Sequence, residues 1–190
     1  SHIPLYMTNK AFAWSASTLI VINFIVIPLS GWNNSFISKL KSKRPEIVNS
    51  ALIFSFLHVI ISLVLVQKEY YNKFFNNENI LNLAGELSLL IGLFAFIILV
   101  LFFVNVQNML SFKSFLDYFI SGKRVGIVLL LLLVIHISGI GFSSWLVPGQ
   151  WPGYLPPVTL FATIDLITGI FIILYFKNKT DIDKKKKVQP

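Results

Sequence analysis

The chain contains no cysteine. That excludes a disulfide, a thiolate zinc site, an iron–sulfur cluster and a haem attached covalently through thioethers, so any metal has to be held by nitrogen or oxygen ligands. Charge is scarce as well: 13% of the 190 residues are charged, about half the share of an ordinary soluble domain. No glycine-rich nucleotide-binding fingerprint occurs anywhere along it. What is present instead is apolar. With 55% apolar residues, 15% aromatic residues and a mean hydropathy of +0.75, the composition is that of a chain that lives in a lipid bilayer. A helical span takes about 20 residues, so five apolar runs consume most of the length and leave one membrane domain.

The runs extend over Phe12 to Leu29, Ile47 to Val66, Ile80 to Val104, Val125 to Trp145 and Val158 to Phe176. Each is long enough to cross about 30 Å of hydrocarbon as an α-helix. The expected fold is therefore an all-α integral membrane bundle of about five helices over residues 1–177, followed by a lysine-rich, disordered tail over 178–190. Basic residues set its orientation. Lys39, Lys41, Lys43 and Arg44 separate the first two runs, Lys113, Lys123 and Arg124 the third and fourth, and Lys177, Lys179 and Lys184 to Lys187 follow the fifth. The opposite connections hold only Lys10, Lys68 and Lys73. Positive-inside counting then puts the amino terminus outside and the carboxyl terminus in the cytoplasm of a multi-pass cell-membrane protein. The same clustering beside spans explains the net charge of +8 without nucleic acid. Trp145, Trp151 and Tyr154 gather around the connection from Pro148 to Pro157, and Tyr70, Tyr71, Phe74 and Phe75 around another, as aromatic belts do at the headgroup level. Asn105, Gln107 and Asn108 read as capping groups at the cytoplasmic end of the third span, and His2 as part of an external polar tail.

Two histidines lie inside spans. His58 is about eight residues from the outer end of its run and His136 about nine, which places both roughly 12 to 14 Å below the outer surface. Intramembrane ionisable groups are costly and face the bundle interior, so each is a candidate for function, against the plainer reading of a hydrogen-bonded core residue. Their faces are small. Helical spacing lines up Ala51, Ser55, His58 and Ser62, and likewise His136, Gly139 and Ser143. Small faces permit close helix packing, and they equally leave room for a flat macrocycle with iron held axially by two imidazoles, that is, one b-type haem. Glu86 and Asp165 sit at a similar depth, as candidates for proton handling or for holding a histidine's second ring nitrogen. A weak internal echo relates Lys43-Arg44, His58 and Gly92 to Lys123-Arg124, His136 and Gly169, which suggests two helix pairs presenting their histidines equivalently.

The stretch Lys43-Arg44-Pro45 leading into Ala51-Leu-Ile-Phe-Ser-Phe-Leu-His58-Val-Ile, the stretch Gly122-Lys-Arg124 leading into a leucine run that ends at His136, and Leu155-Pro-Pro-Val-Thr159 onward are similar to the ferric reductase-like transmembrane family. The resemblance covers most of residues 10 to 176. It implies bis-histidine b haems between two helices, often two stacked across the membrane, with His58 and His136 matching the outer pair. At the inner positions, near Arg44 and Arg124, this sequence has no histidine. The resemblance thus implies a single outer haem in a cytochrome b-like electron-transfer subunit, working with other subunits that include an outer-face electron partner, or with quinone. Two other classes are expected to compete: a non-redox structural or assembly subunit, and a proton or metal-ion path lined by His58, His136, Glu86 and Asp165.

Overall fold

The structure, a computed structural model, describes residues 3–30, 34–106, 122–151 and 154–188. Six α-helices account for most of them: α1 (Ile3–Leu29), α2 (Ser35–Ser42), α3 (Arg44–Leu65), α4 (Leu83–Val106), α5 (Gly122–Trp145) and α6 (Val158–Val188). Five contain stretches long and apolar enough to cross a membrane: Pro4–Leu29, Arg44–Leu65, Leu83–Val104, Arg124–Trp145 and Val158–Phe176. They match the five apolar runs, with differences at the ends. α1 starts nine residues before Phe12, because Tyr6, Asn9 and Lys10 interrupt the hydropathy without breaking the helix. α6 continues to Val188, where the sequence reading expects a disordered tail from 178; Lys177 to Lys187 carries no proline or glycine to stop it. Short α2 falls between runs. Asn34 caps it, its Oδ1 accepting from the Phe36 amide at 2.8 Å. α3 then opens with Pro45 and Glu46 in its first turn, as the helix dipole favours.

The end of the bundle at which α1 begins is called the upper end below. α3 and α5 run up to it, and α4 and α6 run down from it. α1 packs against α3 and α6, and α5 against α6 and α4, while α3 and α4 meet least, so the five long helices form a ring whose thinnest seam lies between α3 and α4. The lower half of the ring is solid. Ile20, Val21, Phe24, Val48, Leu99, Phe102, Val125, Leu129, Leu130 and Leu166 form one buried cluster there. The loop from 66 to 82 covers the upper end. Asn76 Oδ1 accepts from the amides of Glu78 and Ile80, and Asn82 caps α4 by accepting from Gly85 N at 3.0 Å. Gly85 lies so close to Phe74 and Leu81 that a Cβ would stand 2.9 Å from either, which lets the loop seat directly on the helix.

Gln107, Asn108 and His2, singled out in the sequence, lie outside the described residues.

Candidate functional site

A cavity of about 600 Å³ occupies the upper half of the ring, within the range of ligand sites. All five long helices line it, and so do His58 and His136. Leu99, Leu129 and Ile20 close its floor, and Tyr71 and Leu81 of the covering loop stand at its mouth.

The two imidazoles are held in the same way by unrelated groups. His58 Nδ1 donates to the side-chain oxygen of Asn9 on α1 at 2.8 Å. That amide is pinned by its other end, Nδ2 donating to Ser62 Oγ at 3.0 Å, and Asn9 is 1% exposed. His136 Nδ1 donates to the main-chain carbonyl of Ser88 on α4, also at 2.8 Å. An amide oxygen and a carbonyl only accept, so each Nδ1 carries the proton. The Nε2 atom of each ring has no hydrogen-bond partner among the described residues. A fixed Nδ1–H and an unengaged Nε2 is the arrangement in which a histidine serves as a metal ligand.

Gly92 makes the second bond possible. In an α-helix the carbonyl of residue 88 points at the amide of residue 92, where a side chain would shield it from a neighbouring helix. A Cβ on Gly92 would stand 2.7 Å from Cε1 and 2.9 Å from Nδ1 of His136, so the ring reaches the carbonyl only over a bare backbone.

The other candidates divide. Ser55 and Ser62 line the cavity beside His58, as the small-face reading of α3 expects, and Glu86 lines its rim. Gly139 and Ser143 do not line it. The inward side of α5 is formed by Leu129, Leu133, His136, Ile137 and Ile140, which puts Gly139 to one side and Ser143 above the opening. Asp165 is turned to the α1–α6 interface, where it accepts from Trp14 Nε1 at 3.2 Å and Thr18 Oγ1 at 3.4 Å. Neither acid bonds a histidine, and among the described residues no group of three or more His, Asp or Glu could hold a metal ion. The internal echo is not matched in contacts either: Gly92 packs on His136, whereas Gly169 packs on Val21 and Leu130.

Asn9 and Ser88 are site residues outside the sequence reading, and Gly92 enters that reading only through the internal echo. Asn9 had a visible signal, since Asn9, Ala13, Ala16 and Ser17 form a small stripe continuous with the cavity side of α1. The Ser88 carbonyl had none, because a main-chain acceptor leaves no mark in side-chain pattern.

Above the cavity, Tyr6 stacks on Tyr70 and meets Tyr71 edge-on, both at 6.0 Å, and Lys10 Nζ lies 4.2 Å from the Tyr6 ring. Burial, with Tyr6 adding to it, pushes the Tyr71 phenol up to about 12, against the opposing pull of a hydrogen bond to Asn9. Lys73 donates to the Gly139 and Ile140 carbonyls, and burial lowers the pKa of its ammonium. At the lower end, Arg44 Nε donates to buried Asn23 at 2.8 Å and its guanidinium stands 5.8 Å from the Phe102 ring. Phe24 and Phe102 fill the space between the helices there, with ring centroids 4.9 Å apart.

No protein-family model and no curated protein matches this chain.

Proposed function

We propose that this chain is a membrane cytochrome b-like subunit of an oxidoreductase, in which His58 and His136 hold one b-type haem through their Nε2 atoms. The observation that carries the reading is the pair of imidazoles on α3 and α5, each with Nδ1 fixed by an oxygen acceptor, that line one mostly apolar cavity in a five-helix ring. The donor set suits the group: His58 and His136 offer two neutral nitrogens that would bind iron, between mostly apolar walls. The ferric reductase-like pattern in the sequence supports the same assignment. With the amino terminus outside and the carboxyl terminus cytoplasmic, as the lysine and arginine distribution favours, the upper end is the outer face of a cell membrane.

When bound, haem supplies one-electron chemistry at iron. The work of the chain lies around it. Asn9 and the Ser88 carbonyl orient the two rings and raise the basicity of the ligating nitrogens. Ile20, Leu99 and Leu129 seal the floor, which would leave the outer face as the side from which a partner subunit or a quinone exchanges electrons. Glu86 is the carboxylate at the rim and the candidate for passing a proton there.

The test is optical. The protein, expressed and purified without added haem and reduced with dithionite, is expected to give a shifted Soret band and a sharp alpha band of low-spin haem, both lost in His58→Leu and His136→Leu. A folded preparation that holds no pigment and takes up no added haem would overturn the proposal.

A further inference from the structure

Among the described residues, two formally charged side chains line the cavity, Lys10 on α1 and Glu86 on α4. Both belong to the upper rim, and they stand on helices that face each other across the opening rather than touching: the one ion pair among the described residues joins Lys43 to Glu46, far below. Lys10 is therefore a cation at the mouth of an apolar cavity with no anionic partner among the described residues. Its ammonium is already oriented, 4.2 Å over the Tyr6 ring, and Tyr6 is itself fixed against Tyr70 and Tyr71. The rest of the lining is apolar or neutral, with Leu99, Leu129 and Ile20 at the bottom and Leu90, Leu93 and Phe96 along α4. A ligand that matches this lining has an apolar body and an anionic end, and the anion has one favourable place to go.

On the haem reading above, we infer that Lys10 is the anchor of the porphyrin's carboxylates, so that the cavity recognises a dicarboxylate porphyrin with its acidic edge at the upper rim on the α1 side. Glu86 sets the other half of the preference by repelling carboxylates from the α4 side. A charge-assisted hydrogen bond at a half-exposed rim changes affinity by about tenfold, while a facing carboxylate across the opening acts in the opposite sense and more weakly.

The test compares iron protoporphyrin IX with its dimethyl ester, which has the same body and no carboxylates, in titrations of the apo-protein followed by Soret absorbance. Wild-type protein is expected to bind the acid about tenfold more tightly than the ester. Lys10→Met is expected to bring that ratio close to one while leaving the ester's affinity and the low-spin spectrum unchanged. Glu86→Gln is expected to raise the ratio a few-fold. Lys68→Met removes the same charge at the same end of the bundle but off the cavity, where Lys68 bonds only the Asn76 carbonyl, and is expected to leave the ratio as it is. A ratio that survives Lys10→Met, or that falls equally in Lys68→Met, overturns the assignment of Lys10 while the two-histidine site stands. Failure of both porphyrins to bind the wild-type protein removes the haem reading, and this inference with it.

Discussion

Replacing Gly92 by alanine should damage the site through one atom. The added Cβ would stand 2.7 Å from Cε1 and 2.9 Å from Nδ1 of His136, whereas ordinary contact begins at 3.4 Å, so the ring has to withdraw by about 0.7 Å. It cannot do so freely, because Nδ1 is held at 2.8 Å by the Ser88 carbonyl one helical turn away. Withdrawal stretches that bond to roughly 3.5 Å, the limit beyond which it no longer counts. If the bond holds instead, α5 must move off α4, at the usual overpacking cost of about 1–3 kcal/mol. Either way the imidazole loses the support that fixes its aim, and a ligand deprived of such support typically loses 10- to 100-fold in affinity. The assay is haem titration with the spectrum of the reduced protein, run beside Gly126→Ala. At Gly126 a Cβ would stand 2.6 Å from Phe24 Cδ1, which overpacks the lower core without touching a histidine. Gly92→Ala is expected to bind haem more weakly and to give a mixture of low- and high-spin iron; Gly126→Ala is expected to melt earlier with its low-spin spectrum intact. A folded Gly92→Ala protein with wild-type affinity and spectrum would refute the reasoning.

Asn9→Leu removes the acceptor of His58, the donor to Ser62 and the partner of Tyr71 together, and should lower haem affinity by about 10- to 100-fold with a small loss of thermal stability, measured by the same titration and by scanning fluorimetry. Asp165→Ala should cost about 1 kcal/mol of stability by freeing Trp14 and Thr18, and leave the haem spectrum unchanged; a spectral change would place Asp165 in the site. The raised pKa of Tyr71 means that folding disfavours its phenolate, so the stability it supports is complete below pH 10, falls as pH rises and is gone above about 12, by at most about 3 kcal/mol. Tyr71→Phe should flatten that alkaline decline in denaturation curves relative to wild type. Haem content should saturate at one per chain, because Phe24 and Phe102 occupy the lower half; two per chain would contradict the packing described.

Hydropathy makes the five spans legible because a chain in lipid must bond its own backbone, and only long apolar helices do so cheaply. It misplaces the start of α1 for the reason that makes α1 useful: Asn9 and Lys10 are polar because one bonds His58 and the other lines the cavity mouth. The histidine pair is legible from depth, since α3 and α5 both run upward and put His58 and His136 at similar distances from the upper end. The face of α5 is less so. Gly139 is three residues from His136 and Ile140 four, and a helix turns them about 100° apart, on opposite sides of the histidine. Small size alone does not say which side looks inward, and here it is the side of Ile140 and Leu133, with Gly139 near Ser88. The acids fail as partners of the histidines for a similar reason. Depth puts Asp165 near the right level, but Val158, Thr159 and Ala162 hold the inward face of α6 and leave Asp165 to α1.

The two halves of the ring also bear on how the protein assembles. Where helices enclose unfilled space they forgo packing contacts, and the upper half of the ring, with a half-open cavity of about 600 Å³, forgoes many that the lower half makes. In lipid, association of helices gains little from hydrophobicity and depends on packing, so the upper half has no large reserve with which to meet such a cost. Lower-half contacts, made by Leu129, Leu130, Leu166 and Phe102 without any ligand, can form first and hold the five helices together. The upper half then closes around its occupant, and α3 and α4, which meet least, are the pair with most freedom to part for it. In the haem reading, cofactor loading and completion of the fold are one event. The His58→Leu, His136→Leu double variant should consequently keep a protected lower core in hydrogen exchange while losing protection in the upper turns of α3 and the start of α4.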